Sequence, residues 1–415
     1  MPDNPINPLI DYALAPDASY GWNTLKASRA ADGTWLDILL TSQVWHGHTW
    51  THRLEVFVPD HRAAVDWAHL TIGADHGGPH QPALVDSLLA RRAGIVCAHL
   101  FDVPNQPLFG GLREDELLAH TLSECLETRD ASWPLLYPMV RSARRAMDTI
   151  ASVCLDDGSF PPSRFVVHGA SKRGWTTWLT AVVDPRVAAI VPEVYDNLNL
   201  FAQMPHQVKM WHAYSEMIED YTEQRLQDKM RTPAGGALAM AIDPYTYREQ
   251  LTLPKLLINS LNDRYWATDA LNLYWDDLAG DKHLVYAPNQ PHAISDRSGV
   301  APTHRAFVEA VVAGTSLSEV ASQYEPCDGR LLVSLTVSDA EEARVWIATS
   351  PTQDFRAAAW TSVPLQPAGG ETFDGSVPMP AEGWTAAMAD CRVPGPHEPY
   401  VLSTPLQILT RERKR

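Results

Sequence analysis

The stretch RFVVHGASKRGWTTW, residues 164–178, joins an apolar run to a helical one through Gly-Ala-Ser. An apolar strand that ends in small residues and passes directly into a helix is typical of the elbow that exposes a nucleophilic serine. Ser171 is the residue at this turn. The stretch therefore predicts a strand, an elbow and a helix; the alternative is that Ser171 is only a small residue in a tight turn.

The motif departs from G-x-S-x-G at one position. Arg173 stands where the second glycine is expected, and Gly174 follows it. A sharp turn needs small side chains so that strand and helix can approach each other. We therefore expect the Arg173 side chain to point away from the crowded face and Gly174 to supply the contact between helix and sheet.

Short apolar runs alternate with helical segments on both sides of this turn. Such alternation predicts a mainly parallel sheet with helices on both faces. An antiparallel entry to the sheet is indicated by the β-forming residues from Trp35 to Pro59, with Gly47 in the link. The expected strands are 68–74, 93–100, 164–168, 187–194, 255–261 and 283–287, and the expected helices include 82–92 and 172–183.

Two further parts are predicted outside this sheet. Residues at about 197–250 have helical propensity and lie between two strands, so we expect a lid over the carboxyl edge of the sheet, where ligands bind in such folds. An added helical layer without substrate contact is the alternative. Beyond Tyr324, short β-rich runs separated by Pro, Gly and Asp predict an immunoglobulin-like or fibronectin-like β-sandwich. The expected domains are 1–326 and 327–415.

A serine nucleophile requires a histidine base and a carboxylate, which in this type of fold follow the serine in the order acid, then histidine. Asp263 follows the strand run KLLINSL, and His292 follows the run HLVYAPN. Their order and strand-end placement predict a Ser171, Asp263 and His292 triad. Asp269, which lies a turn into a probable helix, and Asp296, which follows the histidine, are competing acids.

Acyl transfer also needs donors for the developing oxyanion. The backbone N–H of Lys172, directly after the serine, and the N–H of Ala74, in the Gly-rich loop after an early strand, are the expected donors. Residues near the proposed site are expected to line the substrate pocket, although aromatic residues at helical spacing often belong to the core. These residues are Asn105, Gln106, Trp175, Trp211 and Tyr214.

The composition excludes several classes of protein. The 415 residues carry a net charge of −17, with 45% hydrophobic and 20% charged residues, as in ordinary soluble proteins. Such an acidic surface repels phosphate, so no nucleic-acid partner is expected. No run approaches the roughly 20 apolar residues that span a bilayer, and the first residues do not form a signal peptide. We expect a cytoplasmic protein without membrane insertion.

Metal and disulfide sites have weak signals. The five cysteines form no C-x-x-C pattern, and Cys327 and Cys391 would bridge only in an oxidising compartment. His46, His48 and His52 share one face of a predicted strand, which offers the alternative of a metal-dependent hydrolase. No carboxylate or thiolate pattern accompanies them, so no metal or cofactor is expected.

Several blocks together resemble the PhoPQ-activated pathogenicity-related (PqaA-like) proteins over about residues 35–410. The blocks are FDVPNQPL (101–108), REDELLAHT (113–121), WPLLYPMVRSARRAMD (133–148), HGASKRGWTTWLTAVVDPRV (168–187) and YAPNQPHAIS (286–295). The resemblance implies an α/β-hydrolase domain, an immunoglobulin-like C-terminal part, and triad roles for Ser171, Asp263 and His292. It also implies that the arginine after Ser-Lys is a family feature, and that peptide cleavage is one activity of the family, whose members often carry an export signal.

The expected function is that of a serine hydrolase that cleaves a peptide, amide or ester bond in a small molecule or peptide. A looser resemblance to glucuronoyl esterases, which also place a basic residue directly after the serine, suggests that Lys172 assists the oxyanion. A binding or signalling protein that keeps the hydrolase fold without catalysis is the alternative from another class.

Overall fold

The computed structural model describes residues 7–77, 86–156 and 160–410. The chain divides into two compact units. The first comprises Met1–Glu193 and Glu219–Pro254, and the second comprises Val194–Ile218 and Lys255–Arg415. No helix in the described ranges is both long enough and apolar enough to cross a membrane.

The helices of the described residues are, in chain order, α1 (Pro8–Leu14), α2 (Ser87–Ala93), α3 (Glu114–Thr128), α4 (Leu136–Asp156), α5 (Lys172–Val183), α6 (Leu200–Trp211), α7 (Glu219–Glu223), α8 (Leu226–Lys229), α9 (Pro233–Ile242) and α10 (Ala301–Ala313). Short 3-10 turns lie at Glu216–Ile218, Pro244–Tyr247, Ala270–Leu273 and Trp275–Asp277.

The first nine strands are β1 (Gly21–Ala30), β2 (Gly33–Trp45), β3 (His48–Pro59), β4 (Trp67–Ile72), β5 (Val96–Leu100), β6 (Arg164–Ala170), β7 (Val187–Glu193), β8 (Lys255–Ser260) and β9 (Lys282–Ala287). The C-terminal strands are β10 (Val320–Cys327), β11 (Arg330–Val337), β12 (Glu342–Ser350), β13 (Thr361–Pro364), β14 (Gln366–Gly369), β15 (Thr372–Pro378), β16 (Trp384–Val393), β17 (Tyr400–Ser403) and β18 (Gln407–Leu409).

The first unit contains a mixed sheet in the order β1-β2-β3-β5-β4-β6-β7. Pairings from β1 through β3 to β5 are antiparallel, and those among β5, β4, β6 and β7 are parallel. The parallel strands β4, β5 and β7 are buried along nearly their whole length, as expected for strands covered on both faces. The predicted parallel sheet is confirmed; for the helix expected at 82–92, residues 82–85 lie outside the described residues.

The predicted antiparallel entry is the β2–β3 hairpin. Trp45 pairs with His48 at its tip, and the two residues between them have positive φ, 44° at His46 and 80° at Gly47. Two consecutive positive φ angles are the signature of the type I′ turn, whose twist matches that of the flanking strands. Glycine is therefore favoured at position 47 because the turn requires a positive φ there.

Helix α1 and strand β1 were not predicted. Helix α1 is capped by Asn7, whose side-chain oxygen accepts the N–H of Leu9 at 3.1 Å. Strand β1 (GWNTLKASRA) is an edge strand that is mostly exposed and carries no apolar alternation. Its strand conformation follows from pairing with the longer β2, from Gly21 opposite Thr41 to Ala30 opposite Gly33.

The second unit contains the parallel pair β8–β9, helix α10 and the C-terminal strands. The C-terminal strands form antiparallel sheets in the orders β10-β11-β15-β14 and β13-β12-β16-β17, with β18 beside β16. Strand β17 is fixed to the rest of this unit, since Ser403 Oγ accepts the N–H of Tyr286 at 3.0 Å and Thr303 Oγ1 donates to the Val401 carbonyl at 2.8 Å. The predicted C-terminal β-rich part is confirmed.

The expected division at residue 326 falls near the end of β10, which already pairs with β11 along its whole length. A domain boundary at residue 326 stays a prediction. Cys327 is exposed on β10, Cys391 is buried on β16, and both are free thiols.

The segment expected as a lid is helical, as predicted, and its two parts belong to different units. In the first unit, helices α7 and α8 pack on α3, where Tyr221 Oη donates to Asp115 at 3.0 Å and Lys229 Nζ donates to Ser123 Oγ at 2.6 Å. These contacts fix α7 and α8 on α3; a role as a substrate lid stays a prediction.

Candidate active site

The elbow consists of one residue. Strand β6 ends at Ala170 and helix α5 begins at Lys172, so Ser171 alone makes the turn. Its φ of 57° and ψ of −126° are strained for a residue with a side chain. The Ser171 N–H donates to the Glu193 carbonyl at 2.8 Å, and the Trp175 N–H donates to the Ser171 carbonyl at 3.0 Å. The Ser171 hydroxyl does not cap α5, so the turn has the geometry of a nucleophile elbow rather than of a helix cap.

The structure accommodates Arg173 by turning its side chain out of the turn. Its Nε donates to the Val103 carbonyl at 2.6 Å, and its Nη1 and Nη2 donate to the Glu114 carboxylate at 2.8 and 2.7 Å. The close approach of strand and helix occurs before the serine, because a Cβ on Gly169 would lie 2.5 Å from the Arg173 carbonyl oxygen. Arg173 thus points away as expected, and Gly169 admits the helix backbone to the strand; a packing role for Gly174 stays a prediction.

The Lys172 side chain is buried and faces two carboxylates at the start of α3. Its Nζ lies 2.7 Å from Glu114 Oε2 and 3.2 Å from Asp115 Oδ1. Burial would raise the pKa of Glu114, but hydrogen bonds and positive charge from Arg173 and Lys172 outweigh it and hold that pKa well below its usual range. Glu114 is therefore ionised, and it binds both cations that follow the serine.

Gln106 connects this cluster to the loop that carries Ala74, the second expected oxyanion donor. Gln106 Nε2 donates to Asp75 Oδ1 at 2.9 Å and to Glu114 Oε1 at 2.6 Å, and its Oε1 accepts the Glu114 N–H at 2.8 Å. The Ala74 carbonyl accepts the Asp102 N–H at 2.9 Å. Gln106 therefore braces the loop after β4, while the oxyanion roles of the Lys172 and Ala74 N–H groups stay predictions.

In the second unit, the structure brings Asp263 and His292 together. His292 Nδ1 lies 2.7 Å from Asp263 Oδ2, and Asp263 Oδ1 accepts the Tyr265 N–H at 2.7 Å. The Tyr265 ring lies 4.2 Å from the imidazole, centroid to centroid. His292 Nε2 is buried and has no hydrogen-bond partner among the described residues. The pair can therefore accept a proton at Nε2 while Asp263 orients the ring.

The two competing acids have other partners. Asp269 Oδ1 lies 2.7 Å from His206 Nε2, and Asp296 is exposed and accepts the Ser298 N–H at 3.0 Å. Among the candidates that the sequence offered, Asp263 is the carboxylate hydrogen-bonded to His292.

A buried carboxyl that the sequence analysis did not identify lies near this pair. Asp196 accepts the Tyr274 hydroxyl at 2.5 Å. Burial raises the pKa of Asp196 to about 7; the hydrogen bond from Tyr274 opposes this rise, and the charges of Asp263 and Asp269 add to it. Asp196 therefore holds a proton through the acidic range, which limits the negative charge around Asp263.

The residues expected to line the pocket are engaged in other contacts in the first unit. Asn105 Nδ2 donates to the Thr51 carbonyl at 2.7 Å. Trp175 is buried and its indole N–H donates to the Ile242 carbonyl at 2.5 Å. Trp175 thus joins helix α5 to the end of α9.

The expected lining residues of the second unit differ in exposure. Trp211 is buried among Met210, Ala267 and Ala270, and the Arg356 guanidinium lies 4.1 Å from its ring centroid. Tyr214 is half-buried. Trp211 therefore belongs to a core cluster, and substrate contact by these residues stays a prediction.

Among the described residues, His46, His48 and His52 do not form a group with the spacing of metal ligands. His52 is buried between Ser42 Oγ at 3.0 Å and the Phe101 carbonyl at 3.1 Å, which uses both ring nitrogens. Burial lowers the pKa of His52 to about 4. His46 stacks on Trp133 at 4.0 Å, and no cluster with metal-ligand spacing in the described ranges includes His46, His48 or His52.

Comparisons with known proteins identify the family of this chain. The model of the PhoPQ-activated pathogenicity-related protein family matches residues 9–356. The autocrine proliferation repressor protein A of Dictyostelium discoideum is 32% identical over 303 residues, which cover 69% of this chain and 61% of that protein. The chain thus spans less than two thirds of the length of this relative, and the resemblance seen in the sequence blocks is confirmed.

A solved structure shows the fold. The acetyl xylan esterase from Paenibacillus sp. R4 superposes with a TM-score of 0.50 at 13% identity, and the match covers 74% of this chain and 92% of that one. The fold is that of the α/β-hydrolases, with additional C-terminal antiparallel sheets, as predicted.

The close packing at the elbow predicts the effect of one added methyl group. In Gly169→Ala, the new Cβ meets the Arg173 carbonyl at 2.5 Å, and overpacking of this kind costs about 1–3 kcal/mol. We expect a clearly lower Tm in thermal melts. Gly21→Ala is the control, because a Cβ there meets nothing within 4 Å; equal Tm values for the two variants would contradict the packing argument.

The pKa of Asp196 predicts a pH-dependent stability. Because this pKa is raised from 3.8 to about 7, between these values the folded protein holds a proton that the unfolded chain releases. Stability therefore falls as the pH rises through this window. We expect the Tm advantage of Asp196→Asn over the wild type to grow from pH 4 to pH 7.

Asp296→Asn is the control for this titration, since Asp296 is an exposed carboxylate of the same unit. Its Tm difference from the wild type is expected to stay constant over the same range. A constant difference for Asp196→Asn as well would show that Asp196 is ionised throughout.

Proposed function

This chain belongs to the PhoPQ-activated pathogenicity-related protein family, and on that premise we propose that it is a serine hydrolase with the triad Ser171, Asp263 and His292. The observation that carries the proposal is the strained backbone of Ser171, with φ 57° combined with ψ −126° between β6 and α5. Strain of this kind costs about 1–3 kcal/mol and is found mostly at functional sites. A serine that only filled a turn would have no use for it, because glycine adopts this conformation without strain.

In the proposed mechanism, His292 Nε2 accepts the proton of the Ser171 hydroxyl as Oγ attacks the carbonyl carbon of the substrate. Asp263 accepts the hydrogen bond from Nδ1 and stabilises the imidazolium that forms. The backbone N–H groups of Lys172 and Ala74 donate to the oxyanion of the tetrahedral intermediate. His292 then protonates the leaving alcohol or amine, and a water activated by the same histidine hydrolyses the acyl-enzyme.

A carboxylic ester is the first substrate class to test. The superposed esterase acts, by its name, on acetyl xylan, and esters require less activation of the leaving group than amides. A glucuronoyl-esterase-like role for the Lys172 ammonium is less well supported, since Nζ is bound by Glu114 and Asp115 at 2.7 and 3.2 Å. Peptides and amides remain the second substrate class.

A signalling function without catalysis is the second candidate. The relative from Dictyostelium is named as a repressor of proliferation, and a hydrolase fold does not by itself imply chemistry. A protein of this kind would need no reactive serine, so a test of serine reactivity separates the two candidates.

Removing the nucleophile gives the decisive prediction. Ser171→Ala should abolish labelling by a fluorophosphonate probe and lower kcat by about 10⁶-fold, since loss of the serine disables both acyl transfer steps. The wild type and the variant are compared on a panel of acyl esters, aminoacyl amides and short peptides, with labelling read on a denaturing gel.

Ser298→Ala, at an exposed serine, is the control and should label and turn over like the wild type. Undiminished labelling of Ser171→Ala would remove Ser171 from its role. A folded wild type that is neither labelled nor active on the panel would favour the signalling candidate.

A further inference from the structure

The loop that carries the acid is fixed to residues 354–360, in the connection between β12 and β13. Asn262 directly precedes Asp263. Its Nδ2 donates to the carbonyls of Arg356 at 3.2 Å and Ala358 at 2.8 Å. One side-chain amide thus joins the end of β8 to two points of the 354–360 segment.

The loop that carries the base is fixed to the same segment. Asn289 lies three residues before His292. Its Nδ2 donates to the Trp360 carbonyl at 3.0 Å, and its Oδ1 accepts the Trp360 N–H at 2.9 Å. Asn289 has a φ of 57°, a conformation that asparagine adopts more readily than most residues. The amide therefore uses both its donor and its acceptor on one backbone position.

The two loops are also joined to each other, and the segment that holds them is well anchored. The Asn262 N–H donates to the Gln290 carbonyl at 3.3 Å. Phe355 and Trp360 are 0% and 3% exposed, and Arg356 binds Glu216 at 2.8 Å. The loops are therefore held against a buried segment instead of being free at the end of the sheet.

We propose that Asn262 and Asn289 are positioning residues that keep Asp263 and His292 within hydrogen-bonding distance by holding both loops on the 354–360 segment. This inference rests on the proposed function, because it assigns a catalytic purpose to these contacts. Neither amide is needed at the reacting atoms. Their effect is on geometry, and a misplacement of about 1 Å in a catalytic group costs about 10²-fold in rate.

A matched asparagine separates positioning from general stability. Asn272 Nδ2 donates to the Leu406 carbonyl at 2.8 Å, which is the same type of bond to the C-terminal part of the same unit. Asn272 lies in a 3-10 turn, away in sequence from both loops. Asn272→Ala therefore removes a comparable contact without releasing the acid or the base.

The kinetic test compares Asn262→Ala, Asn289→Gly and Asn272→Ala. Glycine at 289 removes the amide and tolerates the positive φ. We expect kcat and the second-order rate of fluorophosphonate labelling to fall about 10- to 100-fold in the first two variants, with KM changed less than about threefold. Asn289→Asp keeps the acceptor for the Trp360 N–H and should lose less. Asn272→Ala should retain the wild-type rates even if its Tm falls.

A spectroscopic test reads the pair without any substrate. The proton between His292 Nδ1 and Asp263 is expected to give a downfield ¹H resonance in protein labelled with ¹⁵N-histidine, assigned by its loss in His292→Ala. It should persist in Asn272→Ala and be broadened or lost in Asn262→Ala and Asn289→Gly. An unchanged resonance together with wild-type labelling rates in those two variants would overturn the proposal.

The outcome is separable from that of the proposed function. If Ser171→Ala were labelled as fast as the wild type, the assignment of the nucleophile would fail, whereas the resonance would still report whether the asparagines hold the pair. If Asn262→Ala and Asn289→Gly did not fold, as judged by circular dichroism, the same resonance is read in Asn289→Asp, which loses only the donor to the Trp360 carbonyl.

Discussion

Strand β6 passes into helix α5 through Ser171 alone, and the side-chain packing around this turn depends on the shortness of the connection. A turn so short brings the helix backbone against the strand, which only a residue without a side chain permits at Gly169. The long side chains of Lys172 and Arg173, which follow the serine, extend away from the turn and bind the Glu114 carboxylate. An ionised carboxylate at the start of α3 thus holds the first turn of α5 in place.

The second unit meets a different physical demand, which is to keep the Asp263–His292 pair close to another buried acid. Asp263 is 7% exposed, and its charge and that of Asp269 both act on the buried Asp196. Neighbouring like charges disfavour simultaneous ionisation. With Asp196 protonated and Asp269 paired with His206, Asp263 is the carboxylate hydrogen-bonded to His292.

Much of this arrangement was accessible from the sequence, because it depends on local pattern. Strands β6, β8 and β9 were predicted from short, mostly apolar runs, and helix α5 was predicted at its observed bounds. Asp263 and His292 could be singled out because polar residues directly after parallel strands face one edge of a sheet. The hydrogen bond between them then follows from chain order and strand ends.

The remainder depends on contacts between distant residues. Glu114 binds Lys172, which lies 58 residues away in the sequence. No local sequence spacing predicts an ion pair between residues so far apart. Trp175 and Trp211 are buried, with an indole hydrogen bond to Ile242 and a core cluster around Met210 respectively, contacts that local pattern does not predict; their contact with substrate stays a prediction. Strand β1 has no apolar alternation and is a strand because β2 is beside it.

The cluster around Glu114 also bears on how this family diverges. Lys172 and Arg173 are each 7% exposed, and a buried cation that loses its partner is costly. A chain that replaced the Glu114 carboxylate would leave Arg173 without its carboxylate partner and Lys172 with Asp115 alone, whereas glycine at position 173 would remove one of the two cations that Glu114 binds. The residues at positions 114, 172 and 173 are therefore expected to change together among related sequences. These three positions would then identify this form of the elbow in more distant relatives.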